Sequence, residues 1–197
     1  MLLRDQIICS EINNHLNADI KIYHLDCPRN MDNKEIKKKK FNKIKILNCN
    51  KNMNIEDVNI FENTLEILIC CGNNGITQEG ISRLKKIRKL KCDSNKKIKN
   101  VNHFNNTLIE LKCFGNSGID QKGISKLLCL EELSCKRNEK INNVNHLKNT
   151  LRILDCSGIY CGINQDGIAE LKCIEHIYHD HNNKIYNLDH LKTNDNI

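Results

Sequence analysis

Cysteine recurs along this chain at an almost constant interval, and that interval constrains the fold more than any other feature. Seven of the 12 cysteines are separated by steps that alternate between 22 and 21 residues. A fixed step of about 20 to 50 residues is typical of solenoids, in which each repeat is one structural unit stacked on the next. The cysteines of this column are Cys27, Cys49, Cys70, Cys92, Cys113, Cys135 and Cys156.

Other residues recur around each cysteine of the column. Aliphatic residues stand five and two positions before it, and an isoleucine usually follows six positions after it. The inward residues of each segment are two apart, which is the period of a strand. An asparagine stands three positions after the cysteine in six units: Asn30, Asn52, Asn73, Asn95, Asn116 and Asn138.

The segments that follow the strands alternate between two types. The first type, as in Ile76–Leu84, contains a glycine and has aliphatic residues three apart, which favours a short helix or 3₁₀ turn. The second type, as in residues 98–106, lacks the glycine. We therefore predict an α/β solenoid of about eight units of 21–22 residues, alternating in two types.

The repeated frame resembles the leucine-rich repeat family. Residues 108–116 follow the pattern LxxLxCxxN, similar to the family's LxxLxLxxN motif, and the glycine-containing segments resemble its cysteine-containing subtype. The resemblance implies an arc with a parallel, concave sheet that binds other proteins, and a ladder formed by the six asparagines. The richness in Asn and Lys resembles repeat proteins of giant amoebal viruses and of protists with AT-rich genomes.

Three regions are expected along the chain. Residues 1–19 have Ile8, Ile12 and Leu16 at four-residue steps, which predicts an N-terminal capping helix. Residues 20–192 form the repeat array, and 193–197 form a frayed tail. The seventh unit has one residue more between Cys156 and Ile163, which predicts a bulged turn, either a local defect or a protrusion used in contact.

The column cysteines are interpreted as buried, reduced thiols that act as small hydrophobic residues. Oxidation and metal binding remain open as alternatives, although the chain has no CxxC pair. Among the other cysteines, Cys71 is expected to face outward and is the best candidate for a reactive thiol. The histidines at 103, 146 and 190 recur two units apart and are expected on the return side of the array. His176, His179 and His181 are expected to be split between two faces of the last strand.

A partner is expected to bind the exposed face of the sheet. Exposed apolar residues surrounded by charge are typical of protein-binding surfaces, although β-branched residues also favour strands without any binding role. The residues assigned to this surface are Ile46, Ile67, Ile69, Lys91, Glu110, Lys112, Phe114, Glu132, Asp155 and Tyr178.

The net charge of +7 makes nucleic acid a rival partner, with lysine clusters at 37–40 and 85–91. Nucleic acid is disfavoured because the face mixes acids with lysines and offers few aromatic residues for stacking. A third alternative is a substrate-recognition adaptor of a ubiquitin ligase, although no F-box is visible.

An enzyme is not expected, because no phosphate-binding loop, paired-carboxylate pocket or nucleophile arrangement is in register with the repeats. No cofactor or metal is assigned. No apolar run approaches the length of a membrane span. Because residues 1–10 also do not resemble a secretory signal, we expect a cytoplasmic monomer, in the host cytoplasm if the protein is viral.

Overall fold

Eight short parallel strands form one open sheet in the computed structural model, which describes residues 23–38, 41 and 43–191. The predicted capping helix, 1–19, and the tail, 193–197, lie outside the described residues. Strands pair in chain order, each with the next. They are β1 (His24–Asp26), β2 (Ile46–Asn48), β3 (Ile67–Ile69), β4 (Lys89–Lys91), β5 (Glu110–Lys112), β6 (Glu132–Ser134), β7 (Ile153–Asp155) and β8 (His176–Tyr178).

A short helix follows each strand on the return side. In the odd-numbered units it is α1 (Asn33–Ile36), the 3₁₀ helix Glu79–Ile81, α2 (Gln121–Ile124) and the 3₁₀ helix Asp166–Ile168. In the even-numbered units the 3₁₀ helices are Asn59–Phe61, Asn102–Phe104, Asn145–Leu147 and Asp189–Leu191. The predicted α/β solenoid of about eight units, alternating in two types, is therefore confirmed.

The core is one continuous stack of aliphatic residues and cysteines. Leu68, Leu90, Leu111 and Leu133 are fully buried at the centres of neighbouring strands. All seven column cysteines are buried and carry free thiols, as predicted. The Sγ atoms of Cys27 and Cys49 lie 3.4 Å apart. Burial raises the pKa of the Cys92 thiol well above its usual range, which keeps this thiol protonated and unreactive.

Close packing between units requires glycine on the return side. A Cβ at Gly80 would lie 1.9 Å from the Glu56 carbonyl oxygen, and one at Gly123 would lie 2.1 Å from that of Lys99. Each glycine is in an odd-numbered unit, and the carbonyl oxygen belongs to the unit before it. This contact explains why one unit type contains glycine in its helical segment.

Only three of the six asparagines that the sequence predicts for the ladder are buried. Asn52, Asn95 and Asn138 are buried, whereas Asn30, Asn73 and Asn116 are exposed, so the prediction for those three is wrong. In the odd-numbered units the buried position comes one or two residues later and is occupied by Asn74, Ser117 and Cys161.

The two turn types have different hydrogen bonding, which explains the shift. In even-numbered units the ladder asparagine closes the turn by donating its backbone N–H to the column cysteine, as from Asn95 to the Cys92 carbonyl at 3.1 Å. In the third unit the backbone N–H of Asn74 instead donates to the Gly72 carbonyl at 3.0 Å. The turn therefore admits one more residue before the buried position.

Candidate functional site: the open face of the sheet

The strand register arranges the outward side chains in rows across the sheet. Three positions of each unit form this surface: the residues before and after the central strand residue, and the residue that follows the column cysteine. We call this surface the open face. The first row is His24, Ile46, Ile67, Lys89, Glu110, Glu132, Ile153 and His176. The second is Asp26, Asn48, Ile69, Lys91, Lys112, Ser134, Asp155 and Tyr178.

These rows bring the ten residues assigned from the sequence onto one side of the sheet. Nine of them lie in the two rows, and Phe114 follows the column cysteine Cys113. Ile46 is in register with Ile67, and Ile69 is the next outward residue of the same strand. The three isoleucines are half-buried and form a compact apolar patch at one end of the face.

Lysines and glutamates form a connected cluster at the centre of the face. The Glu110 carboxylate lies 2.8 Å from the Lys89 ammonium, 3.7 Å from that of Lys91 and 3.5 Å from that of Lys112. Lys112 also lies 3.0 Å from the Glu132 carboxylate. Three ammonium groups therefore share two carboxylates, which leaves the cluster with a net positive charge.

Glu110 is less accessible than the sequence predicts. Only 6 % of the residue is exposed, because Lys89 and Lys91 of the preceding strand and Lys112 of its own strand cover it. Burial alone would raise the pKa of the Glu110 carboxyl, but Lys89, Lys112 and Lys91 together lower it. Glu110 therefore lies beneath the lysines, and Lys89, Lys91 and Lys112 present the accessible charge.

A depression of about 250 Å³ adjoins this cluster over β5–β8, and Lys112 and Glu132 form part of its wall. Ile153 and Leu133 contribute apolar lining, and Tyr178 stands at the last strand with 52 % of its surface exposed. Asp155 accepts a hydrogen bond from the Ser134 hydroxyl at 3.2 Å and another from the Ser157 hydroxyl at 2.7 Å.

Phe114 remains exposed, with 42 % of its surface accessible, but its neighbour Asp93 does not. Asp93, which follows the column cysteine Cys92, is only 8 % exposed and accepts the Phe114 backbone N–H at 3.1 Å. Burial raises the pKa of the Asp93 carboxyl. Asp93 therefore holds the Phe114 backbone and contributes little charge to the surface.

Cys71 is not the reactive thiol that its outward position suggests. Its Sγ donates to the Asp93 carboxylate at 3.4 Å. Burial and the nearby Asp93 charge raise the pKa of the Cys71 thiol to about 12. Because the thiolate is the nucleophile, this environment suppresses reactivity near neutral pH.

Polar residues on the return side recur in every second unit and bond to the backbone of a neighbouring unit. Asn102 donates to the Lys122 carbonyl at 2.7 Å and accepts the Lys126 N–H at 2.8 Å. Gln121 accepts the backbone N–H groups of Asn142 and Asn143 at 3.0 Å. These side chains join each unit to the next and have a structural role.

The recurring histidines join the units in the same way, as expected for return-side residues. The Nε2 atoms of His103, His146 and His190 lie 3.2, 3.1 and 3.2 Å from the carbonyl oxygens of Ile81, Ile124 and Ile168. Since a carbonyl only accepts, Nε2 carries the proton. The lysines two positions after the ladder asparagines likewise bond to backbone, as from Lys140 Nζ to the Ser117 carbonyl at 2.7 Å. Their recurrence at a fixed position was the sequence signal for these roles.

The basic clusters are partly neutralised by neighbouring acids. Arg83 and Lys85 lie 3.1 and 3.8 Å from the Glu62 carboxylate, beside a groove of about 550 Å³ on the return side. Lys37 lies 3.9 Å from the Asp57 carboxylate. Among the described residues of these clusters, carboxylates therefore stand beside the cations, unlike in the uninterrupted basic stripe that tracks a phosphate backbone.

The seventh unit contains the bulged turn that its extra residue predicts. Ile159 and Tyr160 are 61 % and 65 % exposed, whereas the following Cys161 is buried in the position of Asn74 and Ser117. Gly158 has a φ of 97°, which a residue with a side chain rarely adopts. The insertion therefore extrudes two large apolar side chains without disturbing the core.

Within residues 23–38, 41 and 43–191, no group of three or more His, Cys, Asp or Glu residues is placed to hold a metal ion. Nor does this described part of the chain contain a helix long and apolar enough to cross a membrane. No protein-family model matches the sequence, and no curated protein matches it significantly.

Proposed function

We propose that this protein is a non-catalytic scaffold of the leucine-rich repeat type that binds another protein through its open face. One observation carries the proposal: the structural positions repeat from unit to unit, whereas the open-face positions do not. The central residue of β2–β7 is always Leu, but the first row changes from Ile to Lys, Glu and Ile again. Residues that the fold requires recur, and residues that recognise a partner need not.

The chemistry of the face supports a protein partner. It has an apolar patch at Ile46, Ile67 and Ile69, a charged centre, and a second apolar region at Ile153 and Tyr178. Protein interfaces combine apolar anchors with charges that set specificity and orientation. Nucleic acid is a poorer fit, because the carboxylates of Glu132 and Asp155 stand beside the lysines.

A recovery experiment with a matched control tests this proposal. The face variant combines Ile67→Lys with Tyr178→Ala, and the control variant combines Ile60→Lys with Tyr186→Ala. Ile60 and Tyr186 are 48 % and 82 % exposed and lie outside the face rows. Proteins recovered from an extract of the source cells with the wild type should be lost with the face variant and retained with the control.

Thermal unfolding must first show that both variants are folded. Equal recovery by the wild type and the folded face variant would contradict the proposal. Titration with a 20-nucleotide single strand and a 20-base-pair duplex over 50–200 mM salt tests the nucleic-acid alternative. Tight binding that falls steeply with salt would favour that alternative.

A further inference from the structure

A second surface adjoins the open face at the turns that follow β5, β6 and β7. We call it the turn rim and define it by Phe114, Lys136, Arg137, Ile159 and Tyr160. Backbone hydrogen bonds hold these turns in register: the Gly115 N–H donates to the Lys136 carbonyl at 2.7 Å, and the Arg137 N–H to that of Ser157 at 2.9 Å. Because neighbouring parallel strands lie about 4.8 Å apart, equivalent positions in the turns after β5 and β7 are about 10 Å apart.

The protruding pair in the rim is held on both sides by the fold. Before it, the Gly158 N–H donates to the Asp180 carbonyl at 2.7 Å. After it, Cys161 is buried, and the Gly162 N–H donates to the Asn138 carbonyl at 3.0 Å. The backbone that carries Ile159 and Tyr160 is thus held in position, while the two residues remain 61 % and 65 % exposed. A backbone that is already ordered loses less conformational entropy on binding, which favours affinity.

Two cations lie between the apolar side chains of the rim. Lys136 and Arg137 are exposed, and neither forms an ion pair with another residue that the structure describes. Lys89 and Lys112 on the open face differ in this respect, since both are bonded to glutamates. Gly158 leaves room for Arg137, because a Cβ at residue 158 would lie 2.5 Å from the Arg137 Cγ.

We propose that the turn rim binds a linear segment of a partner protein in which a carboxylate side chain stands next to an apolar one. The carboxylate pairs with Arg137 and Lys136, and guanidinium can bind it through two parallel hydrogen bonds. The apolar side chain packs between Phe114 and the pair Ile159 and Tyr160. This inference rests on the proposed function, since it names the chemistry of a partner that engages the edge of the open face.

A protein segment fits the rim better than a nucleic acid. Glu139 stands two residues after Arg137, and Asp180 lies in the turn that pairs with Gly158; both are exposed and would repel a run of phosphates more than a single carboxylate.

Peptide selection on the purified full-length chain tests the rim directly. Random linear 12-residue peptides displayed on phage should become enriched in Asp or Glu adjacent to Leu, Ile, Phe or Tyr. Synthetic copies of the enriched peptides should bind at least 10-fold more weakly to the Arg137→Glu variant and to the Tyr160→Ala variant. Binding to the control variants Lys126→Glu and Tyr186→Ala should be unchanged.

A charge exchange tests the direct contact. Replacing the acidic residue of an enriched peptide by Arg should abolish binding to the wild type and restore at least part of the binding to the Arg137→Glu variant. Enrichment of no peptide, enrichment of peptides without acidic residues, equal binding by Arg137→Glu, or displacement of the peptide by a 20-nucleotide oligothymidine would overturn the inference.

The face variant separates this inference from the proposed function. The face variant, Ile67→Lys with Tyr178→Ala, leaves every rim residue intact. If this variant loses the source-cell partner, and the peptides bind the rim variants as tightly as the wild type, only the rim inference is refuted. Full recovery of source-cell proteins by the face variant contradicts the open face instead.

Discussion

At the scale of single residues, the sequence identifies polar side chains by type and the turn geometry decides their role. Asn116 and Asn138 both stand three positions after a column cysteine. Asn138 is buried and donates to the carbonyl oxygens of Cys113 and Ile119 at 3.0 and 3.1 Å, whereas Asn116 is exposed. The same residue type at the same spacing is therefore structural in one unit and replaceable in the next.

The two asparagines should respond very differently to truncation. Asn138→Ala leaves buried backbone groups without their partner, at about 1–3 kcal/mol for each group, so it should lower the free energy of unfolding by about 2 kcal/mol or more. Asn116→Ala should change it by less than about 0.5 kcal/mol. Urea unfolding followed by circular dichroism measures both values, and similar losses for the two variants would contradict the ladder assignment.

At the scale of single elements, the short helices depend on contacts with the preceding unit. Each helix of the odd-numbered units has a polar side chain at its start: the Asp120 carboxylate accepts the Gly123 N–H at 2.8 Å, and Asn164 accepts that of Gly167 at 2.9 Å. The glycine then permits the close approach of the unit before it. A helix of three or four residues is stabilised by such contacts and not by its own hydrogen bonds.

Gly123→Ala should lower the stability of the protein, although alanine favours helices, because the added side chain obstructs the close approach of the preceding unit. The new Cβ would lie 2.1 Å from the Lys99 carbonyl oxygen, and forced displacement in a packed interior costs about 1–3 kcal/mol. Glu35 occupies the equivalent position in the first unit, so Glu35→Ala is a matched control expected to cost no more than about 1 kcal/mol, the range for an exposed ion pair. Thermal unfolding compares the two, and a neutral Gly123→Ala would refute the contact.

The histidines of the even-numbered helices should make stability depend on pH. Partial burial lowers the pKa of His103 and of His146, despite the opposing effect of their backbone hydrogen bonds. A lowered pKa in the folded state means that the unfolded chain binds protons more readily, so these two residues favour unfolding as the pH falls below about 6.5, the ordinary histidine pKa.

Replacing both histidines by glutamine should reduce that pH dependence. Glutamine can still donate to the carbonyl oxygens of Ile81 and Ile124 but does not titrate. The free energy of unfolding, measured in urea at pH 5, 6 and 7, should fall less steeply on acidification for the double variant than for the wild type. An identical slope would show that the histidines do not carry the effect.

At the scale of the whole molecule, each strand pairs only with its neighbours in the chain. Stability is therefore nearly a sum of unit and interface contributions, as in other stacked repeats. An interior unit contributes two interfaces, whereas the eighth contributes one to the described array. The central residue of β8, Ile177, is accordingly only partly buried, in contrast to Leu111 of β5.

Leu111→Ala should lower the free energy of unfolding by about 2–5 kcal/mol, the range for large-to-small substitutions in packed cores. Ile177→Ala should cost clearly less, because fewer neighbours surround it. Native-state hydrogen exchange should show lost protection centred on β4–β6 for the first variant and on β7 and β8 for the second. Uniform loss along the array in both variants would contradict the neighbour-only description.

The sequence by itself determined the repeat length, the alternation of two unit types, the buried aliphatic and cysteine columns and the identity of the open face. These follow from periodicity, because residues one unit apart must occupy equivalent positions in a regular stack. The exposure of Phe114 and Tyr178 could be predicted for the same reason. The spacing of 21 and 22 residues shows these positions without any knowledge of the contacts between units.

Tertiary structure alone decided which polar residues are available to a partner. Glu110 is buried because lysines of its own unit and of the preceding unit converge on it, and Asp93 because it bonds to the next turn. Asn74 replaces Asn73 in the core because its turn closes on Gly72 and not on the column cysteine. The seven column cysteines, which first define the repeat, belong to the buried stack. The surface chemistry instead depends on the distances between side chains of different units, and the sequence of a single unit does not contain those distances.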